Sequence, residues 1–491
     1  MTAREVRYPG ARWRIAFGSY DGVQNFAVNQ LQMMVQRLVP YLVEVIPAAA
    51  ACPADDVHWM LAGTLAQNAL ILDLARRGAV CVPCAPQGYA VAVLESPWRQ
   101  GRRVGVIAGA DPAGVLHGTQ DFNARVLASL PASSASASQA ALESIPAFSA
   151  SECPLVTTRG IWTWGYVIYD YRRFLDHMAR LRMNSITVWN DCPPVNCPDF
   201  ISYARSRGVG VILGFHWGWG TALDITKPDD RLAIAADVLA KYRQDYARLD
   251  IDAIYFQTLT EHSETRLRGR TTASWACQLV NEVSAPLFAL NPGLRIHFGL
   301  HATSVLDNYA DLAPLDPRVT IVWEDAGAIP FSYDPVIELP PAPAADAGPR
   351  TADQTLEYAR RLASFRPAGA FGMVPKGWTS LDWKNEFEHH GPFVLGERSR
   401  DFTQTRLALR HKRWDCVNAL WSANYPVAAR FYREMLDAAG GGLAAWGLIE
   451  DGLLEEAIQF GAALFAETLW NPRRSDSDIL ARAMSPYYRM P

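Results

Sequence analysis

From residue 159 onward, short apolar runs alternate with stretches of helical spacing in a steady rhythm. The runs are RGIWTW (159–164), SITVWN (185–190), VGVILG (209–214), AIYFQT (253–258), RIHFGL (295–300), VTIVW (319–323), GAFGMV (369–374) and LAAWGLI (443–449). Between them lie segments such as DYRRFLDHMARLRM, FISYARSRG, ASWACQLVNEVSAPLFAL and FYREMLDAAGG, whose apolar positions recur at helical intervals. Eight strands, each followed by a helix or a long loop, predict an α/β fold of the (β/α)8 TIM-barrel type. A doubly wound open sheet is the competing architecture. The glycines of GVGVILG (208–214) lie inside a strand rather than in a G-x-G-x-x-G turn, so no dinucleotide site is expected.

Ahead of this rhythm the pattern differs. VHWMLAGT reads as a strand, AQNALILDLARRG as a helix, and GYAVAVLE and RVGVIAGAD as further strands. DPAGVLHGTQDFNARVLASL adds a turn and a closing helix, which makes a small α/β domain over residues 1–130. PASSASASQA (131–140) is a small-residue stretch, so 131–150 reads as a linker and 151–491 as the barrel. The Pro/Ala-rich ELPPAPAADAGPR (338–350) reads as a surface insertion after the sixth strand.

Bulk composition narrows the function. A chain of 491 residues exceeds one ordinary core, and 49% hydrophobic with 20% charged residues describes a globular protein. Forty-six basic residues against 50 acidic ones give a net charge of −4 with no basic patch, so nucleic acid is not an expected partner. The start, MTAREVRYPGARWRIAFG, has no apolar core of a signal peptide, and no run of about 18 apolar residues follows. A cytoplasmic protein without a membrane partner is expected; a homodimer stays open. Cys81 and Cys84 form a C-x-x-C with no second pair, so free thiols are expected rather than zinc. The 16 tryptophans tilt the reading toward carbohydrate, because indoles make flat platforms for sugar rings.

In a barrel, the active site is built at the C-terminal ends of the strands. Read in order, those ends bring Trp162 and Trp164, then Trp189, Asn190 and Asp191, then His216, Trp217 and Trp219. Glu261, His262 and Glu264 follow, then His301, then Trp323, Glu324 and Asp325, then Lys376 and Trp378, and last Glu450 and Asp451. Tryptophan does not favour loops, yet it recurs here beside carboxylates. Two carboxylates in a tryptophan-walled pocket suit glycoside hydrolysis, one protonating the leaving oxygen and the other activating water or attacking directly. Apolar walls keep the acid protonated. Glu261 and the Glu324–Asp325 pair stand out because they directly follow apolar strands.

Plainer readings exist for several of these residues. Glu264 reads as a solvated residue opening a loop. Glu450 and Asp451 could cap the helix of GLLEEAIQFGAALFAETLW, Asp191 could close the turn NDCPPVN, and the tryptophans could fill the barrel core. His216, His262 and His301 with Glu261 have no H-x-x-x-H or H-x-H spacing, so neither a metal nor a cofactor is expected.

The segment RGIWTWGYVIYDYRRFLDHMARLRMNSITVWNDCPPVN (159–196) resembles the first barrel segment of the α-glucuronidases of glycoside hydrolase family sixty-seven. IAGADPAGVLHGTQDF (107–122) resembles the closing strand, turn and helix of the small domain those enzymes share with the β-N-acetylhexosaminidases. The resemblance runs diffusely over about residues 50–330. It implies an exo-acting hydrolase of a terminal, acidic sugar, with Glu261 as general acid and Asp325, or else Glu324, as the base of an inverting mechanism. It also implies an oligosaccharide or glycoside substrate. The candidate substrate-binding set is Arg159, Trp162, Trp164, Trp189, Asn190, Asp191, His216, Trp217, His301, Trp323, Lys376 and Trp378. The sequence departs from the family where Gln257 stands in place of a lysine four positions before the acid, which leaves Lys376 or Arg159 for a uronate. The adjacent Asp–Glu pair of the hexosaminidases is missing at strand four. Substrate-assisted retention and a non-catalytic carbohydrate-binding protein are the alternatives.

Overall fold

The computed structural model describes residues 10–130, 142–218, 220–257, 259–261, 263–327, 329–330, 349–376, 378, 391–449 and 453–490. They fall into two compact units. One takes in residues up to 154 with 206–208 and 485–490, the other 155–205 and 209–484.

The first unit holds six strands: β1 (Trp13–Phe17), β2 (Glu44–Pro47), β3 (His58–Thr64), β4 (Tyr89–Glu95), β5 (Arg103–Gly109) and β6 (Phe148–Glu152). Their order is β2-β1-β3-β5-β4-β6; the first four run parallel, and β4 and β6 join antiparallel. All seven residues of the central β3 are buried, as a strand covered on both faces requires. Helices α1 (Gly22–Gln36), α2 (Ala69–Arg76) and α3 (Pro112–Ser129) complete the unit. Asn68 caps α2 by accepting from the Leu70 and Ile71 N–H groups, and Asp111 caps α3 through Gly114. The sequence reading of this unit begins at β3 and passes over β1, α1 and β2. It also assigns 148–150 to a linker, whereas these residues open β6 and pair with β4. Residues 131–141 of that linker lie outside the described residues.

The second unit is the expected barrel. Its strands are β7 (Thr158–Trp164), β8 (Ser185–Trp189), β9 (Gly210–Gly214) and β10 (Ala253–Gln257). After the short hairpin β11 (Arg266–Leu267) and β12 (Arg270–Thr271) come β13 (Ile296–Leu300), β14 (Val319–Trp323), β15 (Phe371–Met373) and β16 (Leu443–Leu448). The eight long strands are parallel, follow chain order, and close when β16 pairs with β7. Helices lie between consecutive strands, except between β13 and β14, where the connection is a 3-10 segment (Leu306–Leu312): α4 (Tyr171–Arg180), α5 (Cys197–Ser206), α6 (Pro228–Lys241), α7 (Thr272–Leu290), α8 (Ala352–Ser364) and α9 (Arg400–Ala438). Helices α10 (Phe460–Trp470) and α11 (Asp476–Ala483) follow β16.

Side chains alternate across each strand, so the barrel has two apolar layers. Trp162, Trp189, Ile212, Ala253, Tyr255, Val322, Val374, Ala444, Trp446 and Leu448 form one buried cluster, the filling of the barrel itself. Their neighbours in sequence face the helices. Both faces are buried, so each strand is a continuous apolar run. Among the described residues, no helix is long and apolar enough to cross a membrane.

Candidate active site

Two ionisable residues at the C-terminal mouth, His301 and Lys376, converge on the carboxylate of Glu324. Register explains how. Gln257 of β10 pairs with Gly299 of β13, and Gly299 pairs with Val322 of β14, two residues before Glu324 and on its face. Glu324 therefore turns into the barrel and crosses β13 where no side chain stands. A Cβ on Gly299 would overlap both Glu324 Oε1 and the Tyr255 hydroxyl.

Beyond that gap Glu324 meets a full set of donors. The Tyr255 hydroxyl donates to Oε1, and Gln257 Nε2 lies 2.8 Å from each carboxylate oxygen. Lys376 Nζ is 3.4 Å and His301 Nε2 3.2 Å from Oε2. Asp325, one residue on, points to the β13 end instead. His301 Nδ1 donates to its Oδ1 at 3.1 Å, and the Ala302 N–H donates to Oδ2. His301 thus stands between two carboxylates. Its backbone N–H donates to Thr260 Oγ1 at 3.1 Å, and Thr303 Oγ1 donates to the Thr260 carbonyl at 2.8 Å. These bonds tie the β13 loop to the residue just before Glu261. Leu259, which starts this turn, has φ +43°, a left-handed conformation that a leucine adopts only at a cost.

The electrostatics follow from this packing. Burial by itself would push the Glu324 carboxyl up; the charges of His301 and Lys376 and the bonds from His301 and Tyr255 outweigh it and hold the carboxyl far below the usual range. Asp325 is lowered likewise, its burial outweighed chiefly by His301. Burial would lower His301, yet the two carboxylates outweigh it and raise it to about 10. At neutral pH this cluster therefore pairs the Glu324 and Asp325 carboxylates with a charged His301, beside Lys376, and Glu324 is closed off from solvent at 2% exposure.

Across the barrel from this ionic half stands an aromatic one. Trp164 is level with Trp189 in the register of β7 and β8 and packs edge-on against both Trp189 and Trp162, at 6.1 and 5.1 Å between rings. Trp162 and Trp189 are buried inside the barrel and meet the Tyr255 ring edge-on; Trp164 is half-buried. Asn190 is buried and accepts the Gly165 N–H at 2.9 Å, which joins the β7 and β8 ends. Asp191 and Glu261 are exposed, and His216 is half-buried.

Several expected substrate contacts lie elsewhere. Arg159 sits at the start of β7, at the opposite end of the barrel, where its guanidinium donates to the carbonyls of Val156, Thr157 and Arg182. Trp217 stacks flat on Phe256 at 3.5 Å between ring centres, on the helix-facing side of β10. Trp323 precedes the inward Glu324, so it faces outward, 5.2 Å from Tyr358 of α8. Trp378 stacks on Trp421 of α9 at 5.1 Å and touches Phe465 of α10. All three are core tryptophans, as are Trp162 and Trp189. Trp219, His262, Glu450 and Asp451 lie outside the described residues, and Glu264 is exposed.

Tyr255, Thr260 and Gly299 are the site residues the sequence reading misses, and Gln257 it names only as the residue in place of a lysine. A glycine inside the apolar run RIHFGL, and a Tyr-x-Gln pair sharing one face of β10, are the signals that could have found them. Among the described residues, no group of three or more His, Cys, Asp or Glu is arranged to hold a metal ion. No protein-family model matches this chain, and no curated protein sequence matches it. The likeness to α-glucuronidases and hexosaminidases rests on the residues quoted for it.

Proposed function

We propose that the barrel mouth is the active site of an exo-acting glycoside hydrolase that uses two carboxylates and inverts the anomeric centre. The observation that carries this reading is the linkage of two strand ends through a third. Exposed Glu261 follows Thr260, Thr260 holds His301, and His301 pairs with both Glu324 and Asp325. In the reaction, Glu261 gives its proton to the glycosidic oxygen as the bond to the anomeric carbon breaks. Asp325 takes a proton from the water whose oxygen forms the new bond. Asp325 suits the base better than Glu324, since its side chain is 14% exposed against 3%. Each Asp325 oxygen keeps a lone pair beyond its one bond. Glu324 acts as a positioning residue, its charge fixing His301 and Lys376.

One observation favours a second reading, a sugar-binding protein without turnover: the carboxylate most central to the mouth, Glu324, already has its oxygens occupied by four side chains. A panel of aryl glycosides in both anomeric configurations separates the two readings. Turnover, lost in Asp325→Ala and restored by azide to give a glycosyl azide inverted relative to the substrate, the configuration of the native product, supports the hydrolase. Sugar binding without turnover of any glycoside supports the binding protein.

A further inference from the structure

Building on the hydrolase reading, we propose that the terminal-sugar subsite takes a neutral sugar and rejects a uronate. Among the described residues at the strand ends, the cations are His301 and Lys376, and both are engaged. His301 lies 3.2 Å from Glu324 and 3.1 Å from Asp325, and Lys376 Nζ lies 3.4 Å from Glu324. Arg159, which could have met a uronate carboxylate, is at the far end of the barrel. Gln257 offers the mouth a neutral amide, and that amide is bonded to Glu324.

A sugar carboxylate entering here would be a third anion beside Glu324 and Asp325. The site is largely closed to water, so like charges repel there more strongly than in solution. The rim hairpin β11–β12 does carry arginines, but Arg268 is held by Asp224 at 2.7 Å, Arg266 donates to the Gly269 carbonyl at 3.2 Å, and Arg270 donates to Gln278 and Ser274 and lies over the Trp275 ring at 3.9 Å. Trp164, half-buried opposite the ionic half, offers the flat apolar surface on which the C–H face of an uncharged pyranose stacks.

The test compares matched aryl glycosides of glucose, galactose and mannose configuration, each as hexoside, uronide and methyl ester of that uronide. The methyl ester keeps the shape of the uronide and removes its charge. Calorimetric binding of the corresponding free sugars runs alongside. The expected result is a kcat/KM for the hexoside and the ester at least about tenfold above that of the uronide. Glu324→Gln, which removes one anion, should raise uronate binding relative to the ester. A uronide processed as well as its ester overturns the neutral-sugar assignment and leaves the hydrolase reading standing. If no glycoside is cleaved, the hydrolase reading falls and calorimetry decides. Hexose or ester bound with uronate excluded upholds the assignment; uronate bound equally well, or no sugar bound at all, overturns it.

Discussion

Glu324 reaches the Tyr255 hydroxyl by passing over Gly299, so a residue without a side chain on β13 is what lets β14 and β10 share one carboxylate. The ionic half of the mouth depends on that passage. Without it, Glu324 would lose Tyr255 and Gln257, and His301 and Lys376 would lose the charge that holds them.

Gly299→Ala should therefore act out of proportion to its size. The added methyl overlaps Glu324 Oε1 and the Tyr255 ring, so overpacking of about 1–3 kcal/mol is expected, together with loss of activity. Chemical denaturation and turnover measured on one preparation check this. An Ala variant with wild-type midpoint and wild-type turnover would show that the crossing is dispensable.

Glu261 should behave in the opposite way. It is exposed, so Glu261→Gln is expected to change stability by less than about 0.5 kcal/mol. As the general acid, its loss should cut turnover of natural linkages by about 10²–10⁴-fold, and much less for aryl glycosides whose leaving group needs no proton. Equal loss on both kinds of substrate would remove it from proton transfer.

Tryptophan variants separate pocket from core. Trp217→Ala removes a ring stacked at 3.5 Å in a fully buried layer and should cost about 3–5 kcal/mol while leaving KM alone. Trp164→Ala should raise KM with a smaller loss of melting temperature. A Trp217 variant that changes KM without melting earlier would reverse the two roles.

The barrel is legible in the sequence because parallel strands buried on both faces are unbroken apolar runs, and each of the eight stands where such a run does. Edge strands are less visible. Glu44–Pro47 and Phe148–Glu152 have no buried residue, and the second has a small-residue centre, Ser-Ala-Ser, that resembles a linker. Strand ends were readable as places but not as faces. Trp323 and Glu324 are neighbours, so only one of them can point inward, and the sequence reading credits both with the site. Gly299 and Tyr255 escape it because their importance lies in pairing between strands, which no local pattern records.

The pH dependence of stability follows from four histidines, His58, His177 and His297 lowered by burial and His301 raised by its carboxylates. Burial lowers His297, inside the barrel, to about 3, and lowers His177, against the Leu454 carbonyl, to about 4. A histidine depressed below its unfolded value of about 6.5 contributes stability that is present above pH ~6.5 and fades as pH falls toward its folded value. His301 is raised to about 10, so its contribution is complete below pH ~6.5 and fades as pH rises toward 10. Burial raises Glu455, so its contribution fades as pH rises from its unfolded value of about 4.3 and also opposes the histidine slopes on the acid side. Stability should therefore peak near pH 6.5 and fall on both sides. On the acid side, each buried histidine adds a slope of about 1.4 kcal/mol per pH unit until its own folded value is reached. Urea unfolding from pH 4.5 to 9.5 measures the profile. His297→Asn should flatten the acid limb by about one such slope, and His301→Gln should flatten the alkaline limb; Glu455→Gln removes the glutamate's share, so the two alkaline contributions can be told apart. An alkaline limb unchanged in the His301 variant would mean that this imidazole is not charged between Glu324 and Asp325, and the ionic half of the mouth would have to be redrawn.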